Sequence, residues 1–200
     1  MRPLTLDDLL PLDEYAGRRR EFFDSHSRYL NRYRSVRIGP RLALLFENRQ
    51  TLWFRVQELL RIARLSEPER VQQELNISNR LLPCRNQLQA ALVIDLPDET
   101  KMIEDLAFWQ RLTGHCIRLR LGDRSFPASL VTCRPEDRSI GAAHWVQFQL
   151  DPIGRDLLAN LRQPACFEVS YESYQHASAH LTDDVRQSLL EDLQLSEKDD

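Results

Sequence analysis

Glycine is scarce in this chain, six in 200 residues, and neither G-x-x-x-x-G-K-[ST] nor G-x-G-x-x-G occurs. Loops that cradle nucleotide phosphates need glycine for close backbone approach, so the usual nucleotide-binding patterns are excluded. A G-x-S-x-G elbow and an H-E-x-x-H pair are missing too, which removes the commonest hydrolase and zinc-protease signatures. Long apolar runs are also lacking. Leu42 to Phe46 and Ala90 to Ile94 are the longest, far short of the about 20 residues that a membrane-spanning helix requires. The opening, Met1-Arg2-Pro3-Leu4-Thr5-Leu6-Asp7-Asp8, has no apolar core and turns acidic at once, so it does not read as a secretory signal and the expected location is the cytoplasm.

Cysteine is thinly spread. Cys84, Cys116, Cys133 and Cys166 form no C-x-x-C pair and have no histidine at finger spacing, so reduced thiols are expected rather than a zinc site or a thioredoxin-like motif. His115 adjoins Cys116, but on an alternating strand the two side chains point to opposite faces. His176 and His180 would share a face only on a helix, and the serine and alanine around them do not establish one. No metal and no cofactor is expected. Lysine is nearly absent: of 27 basic residues only Lys101 and Lys198 are not arginine, a bias that genomic base composition suffices to explain.

What remains is a composition, 42% apolar and 28% charged, that suits one soluble domain over residues 1–200 with a sizeable core of its own. Thr5 with Asp8 reads as a capping box with Asp in place of Glu, before Pro11 restarts the helix. Tyr15, Phe22, His26, Tyr29 and Tyr33 then recur at helical spacing, giving an amphipathic helix with an aromatic inner face and its arginines mostly outside. Val36 to Ile38, a Gly39-Pro40 turn and Leu42 to Phe46 read as a hairpin. Leu52, Val56, Leu59, Leu60 and Ala63 mark a second helix, and Pro68 opens a third, with Val71 and Leu75 inward. From residue 86 to 180 the rhythm becomes β-α-β-β-β-α-β: strands at 88–96, 116–121, 126–132, 142–150 and 166–171, and helices at 98–112 and after the Asp151-Pro152 cap. Thr182 caps a last helix with Val185, Leu189, Leu190 and Leu193 on its apolar stripe. Fraying is expected from Ser196. The fold class is α+β: a helix-rich half with a β-hairpin at 1–85, then a split βαβ-like antiparallel or mixed sheet with helices packed on it. Pro83 to Asn86 is the best candidate for a seam. Asp137-Arg138-Ser139-Ile140-Gly141 is expected to be a turn, since its glycine falls one residue early for the cyclic-dinucleotide signature that it superficially suggests.

Charge is unevenly placed. The net charge is −3, yet Arg18 to Arg41 holds eight arginines against Glu21 and Asp24, a stretch that on its own suggests nucleic acid or an acidic protein. The sharper signal is Leu44-Leu45-Phe46-Glu47-Asn48-Arg49, where a buried strand ends in an acid, an amide and a guanidinium just as a helix begins. Gln57, Glu58 and Arg61 follow on that helix, with Gln57 and Arg61 four apart and Glu58 and Arg61 three apart. Together these groups suit recognition of a carboxylate, a phosphate or a planar polar ligand, a small anionic ligand among them. The plainer reading makes Asn48 a helix cap, Arg49 a solvated residue and Glu58 with Arg61 a surface pair. His144, beside Trp145 on a strand, is either hydrogen-bonded scaffolding or a further site residue.

Leu4 to Tyr15, Leu44-Leu45-Phe46-Glu47-Asn48-Arg49, Gln57-Glu58-Leu59-Leu60-Arg61 and Ala142-Ala143-His144-Trp145 together resemble a bacterial domain-of-unknown-function family of similar length, over almost the whole chain. Members of that family look like companions of rubrerythrin-like diiron proteins and iron-sulfur oxidoreductases. The resemblance implies a shared ligand- or partner-binding site at Glu47, Asn48, Arg49, Gln57, Glu58, Arg61 and His144. This chain departs from the pattern at Ala43, where Thr is expected, and at Ala63, where an acid is expected. The second departure favours recognition over metal catalysis. Three functions stay open: an accessory protein of an iron-dependent redox system, a small enzyme with a Glu47 or Glu58 general base and an Arg49 anchor, and an arginine-rich module for nucleic acid or acidic protein, the last the least favoured.

Overall fold

Alternation of apolar and polar residues decides the β portion, because each strand has one face to bury. In β2 (Leu42–Phe46) the side chains of Leu42, Leu44 and Phe46 are buried while Ala43 and Leu45 are partly covered, and β4 (Ile117–Leu121) buries every second residue. The computed structural model describes residues 1–96, 99–109, 112–131 and 143–195. Cys133, the turn read at residues 137–141 and the tail from Ser196 lie outside them. With β1 (Ser35–Ile38), β3 (Gln87–Ile94), β5 (Arg124–Val131), β6 (Ala143–Gln149), β7 (Ala165–Tyr171) and β8 (Tyr174–Ala177), the strands form one sheet in the order β1-β2-β3-β6-β5-β4-β7-β8. Every pairing in it is antiparallel.

The sheet curls until its two edges nearly meet. Tyr174 of β8 donates its hydroxyl hydrogen to the Ile38 carbonyl at 2.5 Å and accepts from the Arg41 amide at 3.1 Å. The turn between β1 and β2 lies directly against β8. A Cβ on Gly39, whose φ is 66°, would come within 2.5 Å of the His176 ring, so only glycine fits both the left-handed backbone and the closure. Inside the curl, Phe46, Phe148 and Phe167 pack together, with ring centroids 5.1–5.3 Å apart. Each such side chain contributes roughly 1.5–3 kcal/mol by leaving water.

Six α-helices among the described residues surround this near-barrel: α1 (Leu12–Tyr29), α2 (Arg49–Ala63), α3 (Pro68–Ser78), α4 (Met102–Trp109), α5 (Pro152–Ala159) and α6 (Asp183–Leu195). None is long and apolar enough to cross a membrane. Val185, Leu189 and Leu193 of α6 join the barrel core. A second core lies between α2 and α3, where Leu52, Val56 and Leu60 meet Val71 and Leu75 beneath Leu4. Asp151 caps α5 by accepting from the Gly154 amide at 2.6 Å, with Pro152 in the first turn as expected.

Three expectations change. The hairpin is not separate from the later strands, because β2 pairs with β3 from Leu42 opposite Ile94 to Phe46 opposite Ala90. Residues 174–177, which carry no apolar alternation in the sequence, form β8 by pairing with β7; His176 is therefore on a strand and His180 lies beyond its end. Arg34 does not lie outside. Helix α1 runs into a π-helical turn at Leu30–Arg34, and this extra residue per turn swings Arg34 inward to a buried ion pair with Asp192.

Candidate functional site

Glu47 is the first residue past β2, on the face that Leu45 shares and opposite the barrel core, so it points toward α2. Its side chain is only 2% exposed. Burial of a carboxylate demands partners, and α2 supplies two of them one turn apart: Thr51 donates its hydroxyl to Oε2 at 2.6 Å, and Arg55 holds Oε1 through Nε at 3.1 Å and through Nη2. The Arg55 guanidinium also lies over the Trp145 ring, 4.6 Å from its centroid. Asn48 is the helix cap that its type predicts. Its Oδ1 accepts from the Gln50 and Thr51 amides at 3.0 Å each, while its Nδ2 donates to the Tyr29 hydroxyl at 2.9 Å.

The other candidate residues divide by face. Glu58 turns toward α1, where it accepts from the Tyr15 hydroxyl at 2.9 Å and pairs with Arg19 and Arg61. Although burial works against it, the hydrogen bonds from Arg19, Arg61 and Tyr15 bring its carboxyl down to about 2. The same contact and burial push the Tyr15 hydroxyl upward, burial contributing most. Gln57 turns the opposite way and is fully buried; its Nε2 reaches the Leu10 carbonyl at 3.4 Å, and its Oε1 has no hydrogen-bond partner among the described residues. Arg49 leans to the chain start, with Nη2 2.6 Å from Asp8 Oδ1 but out of hydrogen-bond alignment; this guanidinium, with the Thr5 amide, holds the Asp8 carboxyl well below the usual range. His144 pairs opposite Leu92 and shares the parity of the core residues Val146 and Phe148, so the sheet lies between it and Glu47.

A cavity of about 520 Å³ opens between α1 and α2, lined by His26, Leu45, Glu47, Phe54, Arg55 and Glu58 among others. Of the residues singled out in the sequence, Glu47 and Glu58 reach it; Asn48, Arg49, Gln57, Arg61 and His144 do not line it. His26 and Arg55 complete the polar side of the cavity, and the sequence reading passed over both in this role. His26 looks like one more member of an aromatic stripe. Arg55 had a usable signal, since Thr51 and Arg55 are four apart and so face the same way one turn after Glu47.

The His26 ring stacks on Phe54, with centroids 4.0 Å apart and planes at 16°. Burial, helped by the nearby Arg55 charge, lowers its pKa from 6.5 to about 4, so the folded protein holds the imidazole neutral at pH 7. Because the folded value lies below the unfolded one, the unfolded chain takes up the proton first, and stability falls as pH drops from about 6.5 toward 4. At pH 5 the loss is about 1 kcal/mol relative to pH 7, because the ring is only partly buried and solvent screens part of the effect. His26→Phe keeps the stacking and removes the proton, so its urea midpoint should be nearly flat between pH 7 and 5. An equal slope in both proteins would place the titration elsewhere.

The profile of a family described as "Protein of unknown function (DUF3501)" matches residues 3–193. A crystal structure of a novel protein of unknown function from Burkholderia pseudomallei K96243 is similar at 29% identity and a TM-score of 0.86, over 96% of this chain and 100% of that one. No curated protein matches.

Proposed function

The chain belongs to the DUF3501 family, and from that premise we propose that it is a binding protein rather than a catalyst, an accessory of a cytoplasmic iron-dependent redox system that takes its ligand or partner at the cavity between α1 and α2. The observation that carries this reading is the cavity itself. Its size is typical of small-molecule sites, its walls are mainly apolar, and a few polar groups converge on it.

The chemistry of the two carboxylates points the same way. A general base works best with a pKa near the working pH, whereas Glu58 is held at about 2 by three donors and both oxygens of Glu47 are engaged. Groups so placed orient their neighbours better than they accept protons. A nucleic-acid surface is also disfavoured, because six of the eight arginines from Arg18 to Arg41 have acidic partners. Arg32, Arg34, Arg37 and Arg41 pair with Asp184, Asp192, Asp95 and Asp105, brought from distant sequence; Arg18 and Arg19 pair with Glu21 and Glu58. The redox setting rests on the family resemblance to companions of rubrerythrin-like and iron-sulfur proteins.

Ala63 lines the cavity and is exposed, so Ala63→Trp should fill the mouth without touching a core. Tagged wild-type chain isolated from its native host is expected to bring down rubrerythrin-like or iron-sulfur proteins, and Ala63→Trp to lose them. Equal recovery by both would move the contact away from the cavity, and recovery of neither class would remove the redox setting.

A further inference from the structure

We infer that the occupant of the α1–α2 cavity is an amphiphilic monoanion, a carboxylate with an alkyl or aryl body, whose head seats on Arg55 and His26 and whose body lies along Leu30, Leu45, Phe54, Leu59 and Ile62. This rests on the reading of the cavity as a binding site and names the class of ligand that it takes.

Both carboxylates at the cavity are already paired. Glu47 is buried and held from behind by Thr51 and Arg55. Glu58 is satisfied by Tyr15 and Arg19 from α1 and by Arg61 three residues on along α2. Neither carboxylate has a call on a ligand cation. The guanidinium of Arg55 differs, since its side chain is 41% exposed and, among the described residues, only Nε and Nη2 are engaged, both on Glu47. Its Nη1 hydrogens remain. A planar fork fixed along one edge by a buried carboxylate and stacked on Trp145 is pre-oriented to receive a second oxyanion on its other edge. Three guanidiniums, those of Arg19, Arg55 and Arg61, face two carboxylates here, so one negative charge completes the set. A second would meet Glu47 and Glu58 with no cation left for it.

His26 adds direction without charge. Its ring is fixed flat against Phe54, and as a neutral imidazole it has one N–H to donate beside Arg55. The body of the ligand follows from the rest of the lining. Leu30, Leu45, Leu59 and Phe54 form an apolar wall, and Ile62 stands 70% exposed at the rim, so an apolar chain laid along it removes surface that water now covers. Phosphate esters fit poorly, because among the described lining residues a single guanidinium, that of Arg55, faces the cavity beside two carboxylates, too little cation for a dianion.

The test compares three probes of one chain length, dodecanoate, dodecanol and dodecyltrimethylammonium, below their micellar concentrations. Binding is followed by tryptophan fluorescence, for which Trp145 under Arg55 is the reporter, and by calorimetry. Wild type should bind one dodecanoate at least about tenfold more tightly than dodecanol, the selectivity that hydrogen bonds to a charged group supply, and should bind the ammonium weakest. Ala63→Trp should abolish binding of all three. Arg55→Lys, which keeps a cation for Glu47 but loses the fork, should erase the preference for dodecanoate while dodecanol still binds; circular dichroism and the thermal midpoint verify that both variants fold. Equal or tighter binding of dodecanol by wild type, blocked by Ala63→Trp, would overturn the anion assignment and leave the cavity as a binding site. Absence of binding by all three probes would overturn this assignment and the cavity reading together, and dodecanoate binding unaffected by Ala63→Trp would place the anion site elsewhere.

Discussion

Arg34→Met should lower the stability of the protein by about 3–5 kcal/mol, the cost of stranding a buried charge. Arg34 is 1% exposed and its partner Asp192 nearly as buried. Two of its nitrogens meet the Asp192 carboxylate, a third donates to the Tyr29 hydroxyl at 3.1 Å, and a weak contact reaches the Ser188 carbonyl at 3.4 Å. Without the guanidinium, Asp192 remains in a site where burial already pushes its carboxyl upward. The double variant Arg34→Met/Asp192→Leu should recover most of the loss, because the expense lies in the orphaned charge rather than in an attraction forgone. Urea denaturation of the wild type, the single and the double variant measures both effects. A single variant within 1 kcal/mol of wild type would mean that water reaches Asp192 in solution. The pair also fastens α6 to the end of α1, and through Tyr29 and Asn48 to the cap of α2, so the elements that frame the cavity share one polar chain.

The second large effect is expected at Arg186. Buried to 2%, it has no acidic hydrogen-bond partner among the described residues; its guanidinium donates instead to the carbonyls of Leu157, Leu158, Asn160 and Gln163 at 2.7–3.0 Å. They lie at the end of α5 and in the turn after it, where helix carbonyls lose their intrahelical donors, and a cation there also complements the helix dipole. Arg186→Leu would leave three of these acceptors without their donor, since the Asn160 carbonyl keeps the Gln163 amide at 3.0 Å, at a cost of about 3–5 kcal/mol given about 1–3 kcal/mol for each buried unsatisfied group and partial access of water. Arg186→Lys should recover only part, since three hydrogens on a single nitrogen cannot span four carbonyls set around a plane. Hydrogen exchange would locate the damage: amides of α5 and of the first turns of α6 should lose protection before those of β3. Uniform loss across the protein would instead mark Arg186 as part of the global core.

Much of the architecture was legible because local rules and the final packing agree. The hairpin of β1 and β2, helices α1, α2, α3 and α6, and the capped start of α5 all follow from periodicity, cap residues and turn glycines. β8 was not legible, since Tyr174-Gln175-His176-Ala177 has little to bury on its own and becomes a strand only by completing the hydrogen bonds of β7. Nor was the burial of Arg34, which depends on a π-helical turn that no spacing rule announces and on an acid 158 residues away.

The candidate site divides in the same way. That Asn48 caps a helix and that Glu47 closes a buried strand could be read from six consecutive residues, because both are properties of one strand-to-helix junction. That Arg55 holds Glu47, that His26 is pinned on Phe54, and that Arg19 crosses from another helix to Glu58 were decided only when α1 packed on α2. The sequence by itself determined the class of most elements, β8 excepted, and which face they would bury, for these depend on neighbours within a turn or two. The tertiary structure decided which charges meet, since pairing across 39 or 158 residues is set by the sheet's curl and the helices laid over it. It also placed His144 on the far face of the sheet from Glu47, a separation that an alternating strand imposes once the neighbouring strand fixes which side is the core.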